Sequence, residues 1–258
     1  MQQAGDSDDG RGGPFGIERP DGQGGFILVC DHASNSIPKA WGDLGVSEAD
    51  RKRHIAWDPG ALGVAKHLSA LLDAPLCHAR VSRLLLDMNR APYSPTLIVE
   101  ESEGTPIPGN KDIAPEERAR RLALFHQPYH AALSALVERH AARRPALVAV
   151  HSFTPVYHGK QRPWALGVLF DQDRALADHL LSELAKPGDK VIAANEPYAP
   201  KDGVYWTMDL HGHRRGLESV MLEISSAEIE SAAQQEAWAG RLAAALKSFA
   251  PDGARQGS

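Results

Sequence analysis

Two runs of five consecutive apolar residues, Phe26 to Cys30 and Ala146 to Val150, are too continuous for strands with one wet face and read as strands buried on both sides. Shorter strand-like stretches occur at Phe15–Glu18, Pro75–His78, Val81–Asp87, Trp164–Phe170, Val191–Ala194 and Ser219–Ile224. Between them lie helical patterns. Ala61, Leu62, Val64, Ala65, Leu68, Leu71 and Leu72 recur at helical spacing after Asp58-Pro59-Gly60, which predicts a helix from Pro59 to Leu72 with Pro59 in its first turn. Further helices are expected at Ser47–His54, at Pro115–Arg143 with a kink or break at Pro128, at Asp173–Lys186 and at Glu228–Phe249. His126, His130 and His140 read as residues of a helix surface. The proline-rich segment Ala91–Ala114 is too long for a simple connection and reads as a lid or an irregular excursion. Strands alternating with helices predict an α/β fold, a three-layer α/β/α sandwich. It would occupy residues 14–250 as one domain, with a Gly- and Asp-rich disordered tail at 1–13 and a flexible terminus at 251–258.

The 258 residues carry a net charge of −5, with a pI near 6.2. This gives no electrostatic case for nucleic acid or an anionic membrane and leaves small solutes as the expected partners, with oligomeric state open. Cys30 and Cys77 sit in apolar, strand-like surroundings unlike a disulfide framework, no apolar run reaches the ~18–20 residues of a membrane span, and no signal-peptide layout begins the chain. A soluble, cytoplasmic protein is expected.

Both buried strands run into histidine: Asp31-His32 follows the first and His151-Ser152-Phe153 the second. In open α/β sheets ligands bind beyond the carboxyl ends of strands, and two converging imidazoles suit a divalent ion, zinc above all. A simple Asx-type turn with His32 exposed is the competing reading of Asp31–Asn35. The third ligand would be Asp58 or Asp31, although an Asp before Pro at a helix start, taken by itself, is more readily read as an N-cap. Glu223 lies inside an apolar strand, where a carboxylate is costly unless paired or near a cation; it is a general base for water or, alternatively, the outward residue of an edge strand. Asn89 and Arg90 offer an amide and a permanently charged guanidinium for a carboxylate or an oxyanion, with Arg83, Asn195, His211 and Arg214 as further substrate contacts. No nucleophile elbow and no phosphate-cradling glycine loop follows a strand.

The motifs Val29–Pro38, His54-Ile-Ala-Trp-Asp-Pro-Gly-Ala61, Ser82–Arg90, His151-Ser-Phe153, Asn195-Glu-Pro-Tyr198 and Met221-Leu-Glu-Ile224, in that order, resemble the N-formylglutamate amidohydrolase family over nearly all of Phe26–Ala245. A looser likeness links the chain to aspartoacylases and zinc carboxypeptidases. The resemblance implies a phosphorylase/hydrolase-like sandwich with a mixed central sheet, and roles for His32, Asn89, Arg90, His151 and Glu223 that agree with the residue-level reading. Two departures bear on it. Asn35 stands where the carboxypeptidase pattern has a Glu ligand, which favours Asp58 as third ligand. Ser225 follows Glu223-Ile224 where the deformylase pattern has Arg, which weakens the case for a side-chain carboxylate on the substrate. The expected activity is metal-dependent hydrolysis of an N-formyl or other N-acyl amino acid, with Glu223 and Arg90 catalytic. A carboxypeptidase-like amidase on peptide or cell-wall fragments, and a silent amino-acid-binding relative, are the alternatives.

Overall fold

A computed structural model describes residues 13–172, 174–185 and 190–249. The expected tail, apart from Gly13, the 251–258 terminus and the helix ends at Asp173 and Lys186 lie outside the described residues. A seven-stranded mixed sheet forms the middle layer, made of β1 (Phe15–Glu18), β2 (Phe26–Cys30), β3 (Leu76–Ala79), β4 (Ala146–Phe153), β5 (Leu166–Leu169), β6 (Ile192–Ala194) and β7 (Ser219–Ser225). Their order is β1-β3-β2-β4-β7-β5-β6. Strands β3, β2, β4 and β7 run parallel to one another, while β1 joins β3 and β5 joins β7 antiparallel. The period-two alternation of strand side chains divides the core. Phe26, Leu28 and Cys30 face one side, packing with Ala61, Val64 and Leu68 of α2 (Ala61–Leu72), with α5 (Ala175–Leu184) and with α7 (Ala232–Lys247); Ile27 and Val29 face the other, with Phe125, Leu133 and Met208. The three layers are those anticipated. No helix among the described residues is long and apolar enough to cross a membrane.

Four local expectations are corrected. Val81–Asp87 is not a strand: its apolar side chains are buried, but the backbone is folded into turns. Ser82 N–H donates to Ser36 O and Arg83 N–H to Ala56 O, so the segment's backbone bonds go to loops rather than to a neighbouring strand. The long helix is not split at Pro128 but runs on through a π turn at Leu122–His126, between α3 (Pro115–Arg121) and α4 (Gln127–His140). Gln127 N–H bonds to Leu122 O five residues back, which relieves the crowding that the proline ring imposes on an α-helical backbone. His126, His130 and His140 are consequently buried rather than on a surface. Met208–Gly216, whose sequence suggests a His- and Arg-bearing loop, is instead largely helical, with α6 at Trp206–His211 and a 3-10 turn at His213–Arg215.

Candidate active site

The loops at the carboxyl ends of β2 and β4 meet over the centre of the sheet, where a pocket of about 350 Å3 opens. Strand β2 delivers Asp31 and His32. Strand β4 continues past Val150 to Phe153, so His151 lies within the strand, held in register beside Glu223 of β7. Asp58 comes from the turn before α2. Its side chain does not cap that helix, whose N-cap is Gly60 in a left-handed conformation; the helix begins at Ala61, two residues later than expected. The carboxylate instead accepts from Ser152 N–H at 3.2 Å and approaches both imidazoles. The N-cap reading of Asp58 is thereby excluded.

Each imidazole is held from behind by its own carboxylate. His32 Nε2 lies 2.7 Å from Asp87 Oδ1, and His151 Nε2 lies 3.1 Å from Asp31 Oδ2. A carboxylate only accepts, so these contacts place the ring proton on Nε2 and turn the Nδ1 lone pairs toward each other. The two Nδ1 atoms are 3.2 Å apart, and Asp58 Oδ2 stands 2.8 Å from His151 Nδ1 and 3.4 Å from His32 Nδ1. Three electron-pair donors converging in a buried spot repel unless a cation sits among them. These residues form a buried group able to hold a metal ion, and the donor set of two imidazoles and a carboxylate fits a zinc-type ion. Without an ion a proton takes that position. Burial alone would lower the His151 pKa, but the hydrogen bonds its ring makes to Asp31 and Asp58 raise it to about 10. Burial pushes Asp58 up, yet the two imidazoles hold it far below the usual carboxylate range.

The supporting shell was only partly legible. Asp87, quoted in the sequence only as part of a motif, is a central member: besides His32 it takes Arg83 Nη2 at 2.7 Å, and Arg83 also reaches Asp58 at 3.6 Å. Burial raises the Asp87 carboxyl while Arg83 and His32 draw it well below its ordinary value. Asp31 is fixed by Tyr129 O–H at 2.8 Å and Thr207 O–H at 2.9 Å, two donors on distant helices that no local pattern signals. Asp31 is therefore an orienting partner of His151 and not a member of the converging set.

Glu223 is 5 % exposed, lies in a central strand rather than an edge, and lines the pocket. Its Oε2 has no hydrogen-bond partner among the described residues. Burial raises its pKa to about 7, against the opposing pull of His151. Arg90 also lines the pocket; beyond a bond to Asn89 O at 3.1 Å and a 4.0 Å approach to Asp87, its donors have no partner among the described residues. Asn89 lines the wall too, but its amide is held by the protein at both atoms, donating to Val204 O at 2.5 Å and accepting from Thr207 N–H at 3.0 Å.

Three candidates for substrate contact fall outside the pocket lining. The Asn195 side chain accepts from Phe170 N–H at 3.0 Å, tying down the bend after β6. His211 is buried behind the site, 2.9 Å from His130, which in turn bonds Met88 O. Arg214 is exposed and paired with Asp209 at 2.5 Å. The 91–114 segment is anchored by buried Leu97, Ile98 and Ile107, and its Thr96, Val99 and Glu101–Glu103 form one wall of the pocket.

The N-formylglutamate amidohydrolase family model matches residues 24–229. A gene product of Agrobacterium tumefaciens of known structure is 40 % identical, with 93 % of this chain and 95 % of that one covered and a TM-score of 0.90. The structure of an N-formylglutamate amidohydrolase from Ralstonia eutropha JMP134 superposes with a TM-score of 0.68 at 19 % identity, covering 91 % of this chain and 96 % of that one, a likeness of fold. No curated protein matches the chain. With its family model spanning six of the seven strands together with His32, His151 and Glu223, the chain belongs to the N-formylglutamate amidohydrolase family, hydrolases that act on linear amides.

Proposed function

We propose that this protein is a metal-dependent amidohydrolase that cleaves the acyl group from an N-formyl or other small N-acyl amino acid. The observation that carries the reading is the convergence of His32 Nδ1, His151 Nδ1 and Asp58 Oδ2 in the same pocket as the unpartnered carboxylate oxygen of Glu223. A divalent ion held by His32, Asp58 and His151 would supply Lewis acidity, polarising the acyl carbonyl and making water acidic near neutral pH. Glu223, with one oxygen free and its pKa raised to about 7, takes the proton of the attacking water and returns it to the departing amine. Arg90 offers a planar fork to the substrate carboxylate, which orients the amide over the carbonyl-attack face. Asp31 and Asp87 keep both rings in the tautomer that leaves Nδ1 able to bind.

The test is release of formate or another acid from N-formyl, N-acetyl and longer N-acyl amino acids, with and without chelator. Glu223→Gln is expected to keep fold and metal while kcat falls by about three orders of magnitude or more, since an amide cannot accept the proton. A wild-type rate that survives complete metal removal would refute the mechanism.

A further inference from the structure

The segment Asp87–Arg90 carries three groups of the pocket, Asp87, Asn89 and Arg90, yet belongs to no strand or helix. Its carbonyls must therefore find partners one by one. Asp87 O accepts from Arg90 N–H at 3.3 Å, and Asn89 O from the Arg90 guanidinium at 3.1 Å. The other two are taken by imidazoles of a single helix. His130 Nε2 donates to Met88 O at 2.9 Å, and His126 Nε2 donates to Arg90 O at 3.0 Å. A third side chain of that helix, buried Arg121, donates to Leu85 O at 3.1 Å and to Asn110 Oδ1 at 2.7 Å.

At the α-helical repeat of about 3.6 residues per turn, a residue five positions on points about 140° away, so Arg121 and His126 would face different neighbours. The π turn at Leu122–His126 closes its hydrogen bond over five residues instead of four, which brings both onto one face, with His130 a further turn along. The His126 and His130 rings then lie 4.2 Å apart between centres. Burial lowers the His130 pKa to about 3, so that ring is neutral. With Nε2 donating to Met88 O, its Nδ1 accepts from His211 Nε2–H at 2.9 Å, which locks the tautomer.

From this row we infer that His126, aligned by the π turn, is a positioning residue for Arg90. Its bond to the Arg90 carbonyl fixes the backbone from which the guanidinium reaches the substrate carboxylate. His130 and Arg121 hold the chain just before it. Because Arg90 Nη1 is itself bonded to Asn89 O, the guanidinium and its own segment move as one body, and a displaced carbonyl displaces the fork. Resting on the carboxylate-binding role proposed for Arg90, this names the residue that sets its aim.

The experiment measures binding by calorimetry to full-length, metal-loaded Glu223→Gln protein, using N-formylglutamate and its two monoamides, each of which lacks one carboxylate. In this background Arg90→Gln identifies the carboxylate that Arg90 holds, as the one whose amide analogue binds equally well with and without the arginine. His126→Leu is expected to weaken N-formylglutamate binding about tenfold, the order of a misaligned charge-assisted hydrogen bond, with metal content unchanged. On the analogue that Arg90→Gln does not affect, His126→Leu should have no effect either, and in the double variant it should add nothing to Arg90→Gln. His126→Gln, which keeps an N–H donor, is expected to restore most of the affinity. An effect of His126→Leu that persists on that analogue, or that adds fully to Arg90→Gln, makes His126 a merely structural residue and overturns the proposal. Unchanged N-formylglutamate affinity in either single variant, Arg90→Gln or His126→Leu, overturns it as well. Should His126→Leu fail to fold, His126→Phe, which keeps a ring against His130, takes its place. Failure of the hydrolase reading appears separately, as a wild-type protein that binds N-formylglutamate and turns none over.

Discussion

At the scale of single residues, the site is governed by which atom of each carboxylate and imidazole faces inward. Asp58 and Asp87 are both buried, both hydrogen-bonded to His32 or His151, and both held in the charged form, yet they act differently. Asp58 points its Oδ2 into the convergence of lone pairs, whereas Asp87 grips the far nitrogen of His32. Asp58→Asn is expected to abolish tight metal binding, because the amide is a poor ligand and leaves one fewer negative charge at the ion. Asp87→Asn should keep the metal but weaken it about 10–100-fold, the usual cost of removing an orienting partner. Metal content after dialysis and competition with a chromophoric chelator distinguish the two. Equal effects would mean that the assignment of ligand and orienting partner is wrong.

Among the elements, the close meeting of β5 with the bend after β6 deserves a prediction, because that bend delivers Tyr198 to the pocket lining. Gly167 in β5 is the ladder partner of both Glu223 in β7 and Ala193 in β6. A Cβ at this position would lie 1.6 Å from Glu196 O, a backbone atom that can retreat only by moving the bend. Gly167→Ala is therefore expected to destabilise the protein by about 2–3 kcal/mol, the range of overpacking in a rigid site. Denaturant unfolding measures it, and a loss under half a kilocalorie would show that the strands separate freely there. The π turn in the α3–α4 helix has a similar positioning effect. By shifting the helical phase before Pro128 it sets Phe125, His126, Tyr129 and His130 against the sheet, so that Tyr129 reaches Asp31 and His126 reaches Arg90 O at 3.0 Å.

For the whole molecule, metal binding, protonation and stability are coupled through the one buried cluster. In the metal-free protein the partners of His151 raise its pKa to about 10, so at lower pH the cluster holds a proton that must leave before the ion enters. The sign follows directly. Metal affinity should fall as pH is lowered, by about tenfold per pH unit for each proton displaced. Titration between pH 6 and 9 measures this, and affinity that is flat over that range contradicts the shared proton. Since the ion binds only the folded chain, it should also raise the thermal midpoint with the logarithm of its concentration over its dissociation constant, and chelator should reverse the gain.

Much of this architecture was legible from local pattern. The two continuous apolar runs, the helix after Gly60 and the closing Ala-rich helix follow from period and burial, and the strand ends carrying His32, His151 and Glu223 follow from polar residues placed where an apolar strand stops or is interrupted. These are properties of short stretches, which a linear sequence expresses. Tertiary structure alone decided what depended on partners far along the chain. Val81–Asp87 has the composition of a strand but no neighbouring strand to pair with, so its backbone bonds go to Ser36, Ala56 and Leu97. Asp58 could cap a helix or face a metal, and the choice rests on His151, which is 93 residues away. Tyr129 and Thr207 meet at Asp31 from 98 and 176 residues away, and Arg162 meets the Tyr198 ring from 36 residues away. Hydrophobic periodicity specifies which face of an element is buried, but not which polar atoms will be trapped together once it is. That is fixed only when the layers close, because a buried charge or lone pair must find its partner wherever the fold has brought one.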